Sequence, residues 1–136
     1  MSYESNIDAG DFLFAGEDKT LSYEILAVGS TTLMEDMSGV SLQWELRPIT
    51  IGKAPYRAQG DSVVTKTTAE SGGITIMGIY NADRATNTQR VIVTIADVDT
   101  EALAGGRYVC ALKRTDTGLE AVLSHGMVEL LVAAVR

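Results

Sequence analysis

The sequence predicts an all-β protein built as an antiparallel sandwich, and three observations lead to this prediction. Apolar and polar residues alternate over many short segments, which is the pattern of strands with one buried face and one exposed face. These segments are rich in Val, Ile and Thr, and turn residues separate them at intervals of about 8 to 12 residues. Only one short stretch has a helical pattern. Such chains fold as two packed antiparallel sheets.

Length and composition predict one folded domain. The chain has 136 residues, of which 46% are hydrophobic and 21% are charged, so it is large enough for a single core and too small for two. We expect an immunoglobulin-like sandwich over residues 17–136, with one short helical turn. Residues 1–16 precede it as an N-terminal arm or as an additional edge strand.

The clearest alternation lies in "DMSGVSLQWELR", residues 36–47. Its apolar positions are Val40, Leu42, Trp44 and Leu46, with polar residues between them. Because a Trp on the apolar face of a strand buries a large surface, we expect Trp44 to anchor the core.

The other predicted strands combine β-branched or alternating apolar residues with flanking turn residues. They are "KTLSYEILAV", "SVVTKTT", "GITIMGIY", "RVIVTIAD" and "GRYVCALKR". Residues 48–61 contain both prolines and two glycines, which predicts a loop with room for a short strand at 49–51.

Two further elements are predicted in the C-terminal half. In "DVDTEALAG", residues 97–105, Asp99 or Thr100 can cap a single helical turn that ends at the following glycines. After a hairpin turn at 115–118, the last segment forms two strand-like runs with a bulge or bend at Gly126.

Charge and cysteine content exclude several classes of partner. The net charge is -7, and 11 basic residues are scattered among 18 acidic ones, whereas a nucleic-acid surface needs clustered Lys and Arg. Cys110 is the single cysteine, so the fold needs no internal disulfide. The longest apolar run, residues 130–135, is too short for a membrane span, and the N-terminus has no signal-peptide pattern. We expect synthesis in a cytoplasm and no nucleic-acid or membrane partner.

The sequence indicates neither a catalytic site nor a cofactor, so we expect a protein that is not an enzyme. His125 is the only histidine, and the adjacent Ser124 points to the opposite face of a strand. Cys110 shares a face with Tyr108 and Leu112, which predicts a buried side chain rather than a reactive thiol.

Asp97, Asp99 and Glu101 form the best candidate metal site, because hard cations prefer several carboxylate oxygens. A calcium loop that began at Asp97 would need Gly at 102 and Glu at 108, where the chain has Ala102 and Tyr108. Acidic residues also stabilise the first turn of a helix without a metal. We expect no metal site, with structural calcium at this cluster as the alternative.

Two segments are candidates for contacts with a partner. The N-terminal segment contains Tyr3, Ile7, Phe12 and Phe14, more apolar side chains than a solvated tail needs. The alternative is that this segment forms an edge strand of its own sandwich.

The second candidate is the pair Tyr56 and Arg57 in the loop 48–61, because Tyr and Arg are favoured at interfaces. The alternative is an ordinary solvated loop.

Four segments, in the same order, resemble a small β-sandwich domain of tailed-phage virion proteins. They are "GEDKTLSYEILAVG", "DMSGVSLQWELR", "TTAESGGITIMG" and "DTEALAGGRYVCALKRTDTG", with "GMVELL" as the closing strand. The domain is similar to the N-terminal domain of siphophage upper baseplate proteins and to small stand-alone proteins of phage structural gene clusters. In this chain Gly105 stands where the family usually has Pro, and the chain stops before the coiled or receptor-facing module of upper baseplate proteins.

The resemblance covers residues 17–132 and implies a non-enzymatic virion structural protein. Such a protein would dock on the tail, baseplate or neck of a phage, would contact other virion proteins and would form a homo-oligomer. The alternative is a capsid decoration protein that contacts the major capsid protein. A carbohydrate-binding module or a small hydrolase is the weaker hypothesis, because aromatic residues are few and the one histidine lacks a partner.

Overall fold

The computed structural model describes residues 5–7, 12–51, 57–59 and 62–132, which form ten strands and one helical turn. The strands are β1 (Ser5–Ile7), β2 (Phe12–Phe14), β3 (Lys19–Ile25), β4 (Leu42–Ile51), β5 (Arg57–Gln59), β6 (Val64–Thr67), β7 (Ile74–Met77), β8 (Arg90–Ile95), β9 (Gly106–Arg114) and β10 (Ala121–Leu131). The helical turn α1 (Asp97–Thr100) lies between β8 and β9.

The strands form two sheets that face each other. The first has the order β1-β3-β8-β7 and the second β2-β10-β9-β4-β5, with β6 also paired to β4. The pairings are antiparallel except that of β2 with β10, which is parallel. Lettered in the immunoglobulin convention, the sheets are A-B-E-D and G-F-C with a further C′ edge, as in variable-type domains. The predicted immunoglobulin-like sandwich is confirmed.

The core lies between the sheets and is built from the predicted apolar faces. Leu42, Trp44 and Leu46 of β4 are buried, and so are Cys110 and Leu112 of β9. The burial predicted for Trp44 and Cys110 is therefore confirmed. The opposite sheet contributes Leu21, Tyr23, Ile25, Ile74, Val91, Val93 and Ile95.

The connection into β9 is closed by a tyrosine corner. The Tyr108 hydroxyl donates a hydrogen bond of 2.6 Å to the carbonyl of Ala104, four residues upstream. Tyr108 also lies two residues before Cys110, the spacing that this corner has in immunoglobulin domains. The corner therefore supports the assignment of the fold independently of the strand order.

The short strand predicted at 49–51 is confirmed, whereas the prediction of a loop was wrong at Pro48 and at residues 57–59. Strand β4 continues through Pro48 to Ile51, and Ile49–Ile51 pairs with β5. Pro48 is tolerated because it occupies the last position paired with β9 and lies between the ladders of β6 and β5, where a missing N–H disrupts little.

The predicted break at Gly126 was also wrong. Strand β10 runs without interruption from Ala121 to Leu131, and Gly126 pairs in regular register with Cys110. The register shifts instead between Val122 and Ser124. One extra residue at this point lets Leu123 and the later Val128 face the same core, although they are an odd number of residues apart.

The helical turn is present, but neither Asp99 nor Thr100 occupies its N-cap position. Its N-cap is Ala96, whose N–H donates to the Asp99 carboxylate over 2.7 Å. Thr100 is buried, and its hydroxyl accepts a hydrogen bond from the N–H of Gly16. These side chains therefore tie the turn to its surroundings. In the described part of the chain, no helix has both the length and the apolar character needed to cross a membrane.

Candidate binding surfaces

The outer face of the second sheet contains a groove of about 480 Å³. We call it the sheet groove; its lining residues are Glu45, Arg47, Val109, Ala111, Lys113, Val122 and His125. The strand register builds it, because His125 of β10 pairs with Ala111 of β9, which pairs in turn with Glu45 of β4. One row thus places an imidazole, a small side chain and a carboxylate across three strands.

Glu45 lies between the two cations of the sheet groove and is only 7% exposed. Its Oε2 accepts hydrogen bonds of 3.1 Å from both Arg47 Nε and Lys113 Nζ, and its Oε1 accepts one from Gln43. Burial would raise the pKa of Glu45, but the hydrogen bonds from Arg47 and Lys113 outweigh burial and hold the pKa below its usual value. The carboxylate is therefore ionised, and the cations of Arg47 and Lys113 compensate its charge.

The two cations of the groove stay partly exposed. The side chains of Arg47 and Lys113 are each 33% exposed, so they shield Glu45 and also face solvent. Among the described lining residues of the sheet groove, one carboxylate lies beside two cations, in a chain whose net charge is -7. Apolar side chains border it: Val122 lines the groove, and Met127 is exposed on the same strand.

A second candidate surface lies at one end of the sandwich, where the β3–β4 and β7–β8 connections meet. We call residues 26–41 and 78–89 the loop pair. The N–H of Met34 donates to the carbonyl of Ala82, and the N–H of Arg84 donates to that of Thr32, each over 2.9 Å. The Tyr80 hydroxyl also donates to the carbonyl of Met34. These bonds hold the two connections as one unit.

The loop pair presents aliphatic side chains to solvent. Ile79 is 79% exposed, Leu33 is 52% exposed and Val28 is 46% exposed. The backbone around Ile79 is nevertheless fixed, because its N–H donates to the Thr88 hydroxyl and its carbonyl accepts from the Thr88 N–H. Aliphatic groups held rigidly in solvent are typical of contact surfaces rather than of a core.

The predicted contact residues lie elsewhere. Ile7 is in β1, paired to β3 at an edge of the first sheet, and Phe12 and Phe14 are in β2, paired to β10 at an edge of the second. Their contact with a partner stays a prediction. Arg57 belongs to strand β5 and not to a loop. Tyr3 and Tyr56 lie outside the described residues.

The residues considered for chemistry are not brought together. Burial raises the pKa of the Cys110 thiol above its usual value, which disfavours the reactive thiolate. Asp99 is bound by Lys66 Nζ at 2.7 Å. In the described ranges, no group of three or more His, Cys, Asp or Glu is arranged to hold a metal ion.

Sequence reasoning missed both surfaces. The alternation identified Glu45, Arg47 and Lys113 as polar-face residues, but it could not show that they lie on adjacent strands. A usable signal for the loop pair was Ile79 between Gly78 and Tyr80, an aliphatic residue directly after a glycine at the end of a strand. Such isolated apolar residues are too common on surfaces to mark a site alone.

Comparisons with known proteins give fold likeness only. No protein-family model matches the chain, and no curated protein matches it. Among solved structures it is similar to a cohesin module from a family 33 glycoside hydrolase of Clostridium perfringens, with 10% identity, a TM-score of 0.42 and coverage of 96% of this chain and 98% of that one. It is also similar to murine CRIg, with 11% identity, a TM-score of 0.35 and the same coverage. Strand order and core residues define the chain as an immunoglobulin-like β-sandwich.

Proposed function

We propose that this chain is a non-enzymatic structural protein of a tailed-phage virion that docks on the tail, baseplate or neck. The observation that carries the proposal is the loop pair, which presents Ile79, Leu33 and Val28 to solvent on a hydrogen-bonded backbone. Exposed aliphatic side chains lower the solubility of a protein, and they contribute binding affinity only when a partner covers them. A docking subunit needs such surfaces and no catalytic group.

The sequence resemblance supports the phage assignment, because its segments coincide with structural elements of the sandwich. The first contains β3, the second opens β4 and the third contains β7. The fourth spans the turn after α1, the tyrosine corner and β9. The segments that carry the resemblance therefore correspond to strands and turns of the sandwich, and not only to single residues.

The sheet groove supports contact rather than chemistry. Its buried carboxylate is already neutralised by two cations, so it is poorly suited to act as a base. Arg is enriched at protein interfaces, and Arg47 lines this concave face. Tyr80 donates its hydroxyl to the carbonyl of Met34, so this aromatic side chain is tied to the loop pair.

The test is the copy number of the chain in purified particles of the phage that encodes it, measured by quantitative mass spectrometry against the portal subunit. A small multiple of the tail symmetry is expected. Hundreds of copies would move the protein to the head as a decoration protein and overturn the tail assignment. Its absence from purified particles would overturn the virion proposal altogether.

A further inference from the structure

We propose that strand β7 pairs with β7 of a second copy of this chain, so that two copies form a dimer across a two-fold axis. The contact joins the four-stranded sheets of the two copies into one continuous sheet. This inference goes beyond the proposed function and does not rest on it, because the pairing is measured in solution without any particle.

Strand β7 lies at an end of the first sheet, with β8 on one side. The carbonyl of Gly73 accepts a 2.9 Å hydrogen bond from the N–H of Thr94 in β8. Main-chain groups of successive strand residues point to opposite sides, so every second residue from Gly73 onward faces β8. Ile74, Ile76 and Gly78 therefore direct their main-chain groups away from the sheet.

The middle of this edge is open to one more strand. In the part of the chain that the structure describes, β8 is the only strand paired with β7, so the N–H and carbonyl of Ile76 and the N–H of Gly78 have no strand to bond. A groove of about 480 Å³ lies beside the edge, and residues 74–76 are among those that line it. Unpaired main-chain groups beside such a space are a template for an added strand.

The groups along the open edge complement those of an identical strand. In chain order they are the carbonyl of Ile74, the N–H and carbonyl of Ile76, and the N–H of Gly78. When an antiparallel copy is centred on Ile76, each Gly78 N–H meets the Ile74 carbonyl of the other copy, and the two Ile76 residues bond each other. Every one of these groups is then paired.

The ends of the edge select a short partner strand. At one end a bridge places Thr67 beside Gly73, where a longer strand would have to continue. At the other end the chain turns at Gly78, whose φ is +88°. A partner strand must therefore turn away at both ends. A second copy of β7 does so, because it is four residues long and lies between Gly78 and Gly73, whose φ is +96°.

The side chains of β7 also favour contact between identical copies. The strand Ile74–Met77 contains no charged residue, whereas edge strands that avoid pairing usually carry charges, prolines or bulges. A neutral strand is where two chains of net charge -7 repel each other least. In the register centred on Ile76, the exposed Thr75 lies opposite Met77 of the second copy. Met77 is 55% exposed, so the contact covers an exposed apolar side chain.

The test uses the full chain and two variants with opposite charges on this edge. One carries Thr75→Lys and Met77→Lys, and the other carries Thr75→Glu and Met77→Glu. Sedimentation velocity and native mass spectrometry are expected to give a dimer for the unmodified chain as its concentration is raised. Each variant alone is expected to be monomeric, because like charges then lie opposite each other. Mixed in equal amounts, the two variants should form a one-to-one dimer, because opposite charges then meet.

The matched control carries Thr20→Lys and Thr94→Lys, at exposed positions of β3 and β8 in the same sheet but away from its open edge. It is expected to dimerise like the unmodified chain, and circular dichroism checks that all variants are folded. An unmodified chain that is monomeric at every accessible concentration overturns the inference. So does a dimer that persists in either charged variant alone, a control that loses the dimer, or a mixture that does not pair. The copy number in particles is measured separately, so each of these results leaves the proposed function standing.

Discussion

At the level of single residues, the centre of the core depends on Tyr23. Its hydroxyl accepts a 3.0 Å hydrogen bond from Trp44 Nε1, across the space between the sheets. Burial, and then the neighbouring Cys110, raise the pKa of Tyr23 above its usual value, so the hydroxyl stays neutral. Many immunoglobulin domains place a disulfide between the strands that correspond to β3 and β9. Here a tyrosine contacts the single cysteine and the tryptophan instead.

We expect Tyr23→Phe to reduce the free energy of unfolding by about 1–3 kcal/mol, because it leaves the fully buried Trp44 N–H without an acceptor. Urea denaturation followed by Trp44 fluorescence measures the change. The control is Tyr80→Phe, which also loses one hydroxyl hydrogen bond but in a half-buried place that water reaches. Equal losses for the two variants would contradict the role assigned to Tyr23.

The sequence predicted part of this residue-level arrangement. Alternation placed Tyr23, Trp44 and Cys110 on apolar faces, and all three are buried as a result. It could not predict that the three meet, because they come from β3, β4 and β9 and the pairing of strands is not encoded in their period.

At the level of elements, the β7–β8 connection depends on Gly78. Its φ is +88°, and an added Cβ would lie 2.1 Å from the carbonyl oxygen of Thr88. Only glycine therefore permits both the backbone conformation and the close approach that holds Ile79 in place.

We expect Gly78→Ala to reduce the free energy of unfolding by about 1–2 kcal/mol because of the positive φ. The overlap with Thr88 should reduce it by about 1–3 kcal/mol more. The matched control is Gly118→Ala, because Gly118 has a φ of +81° but nothing within 4 Å of an added Cβ. The difference between their thermal unfolding temperatures isolates the overlap. If Gly118→Ala costs as much as Gly78→Ala, the close approach has no energetic consequence.

The bulge in β10 is an element that sequence reasoning only half identified. The sequence predicted a bulge or bend in this segment and placed it at Gly126. In the structure Leu123 and Val128 are both buried at an odd separation, which requires one extra residue between them. Gly126 instead pairs regularly with Cys110. Glycine permits a bulge but does not require one, so the register with β9 decides its position.

For the molecule as a whole, the ion pair between Lys66 and Asp99 links an edge strand to the connection between the sheets. Lys66 of the edge strand β6 binds Asp99 of α1, the connection that crosses from the first sheet to the second. Burial would raise the pKa of Asp99, but the hydrogen bonds from Lys66 and Ala96 outweigh burial and lower the pKa from its usual value of 3.8.

A carboxylate whose pKa is lowered by folding stabilises the protein fully above its unfolded pKa, and this contribution is lost as the pH falls through the folded value. We therefore expect Asp99→Asn to cost about 1 kcal/mol at neutral pH and progressively less below about pH 4. Urea denaturation across this pH range measures the effect. The control Glu101→Gln removes a carboxylate at an exposed position one residue after α1, and its cost at neutral pH should be smaller than that of Asp99→Asn. A cost for Asp99→Asn that does not change with pH would contradict the ion pair.

Local periodicity and turn residues are sufficient to predict the sandwich, most of its strands, the buried faces and the helical turn. Which strands are neighbours is visible only in the folded protein. That pairing creates the Tyr23–Trp44 contact, brings Glu45 beside Lys113 in the sheet groove and joins the two connections of the loop pair. The physical reason is that an alternating strand specifies which of its faces is buried, whereas its partners are selected by the packing of the complete core.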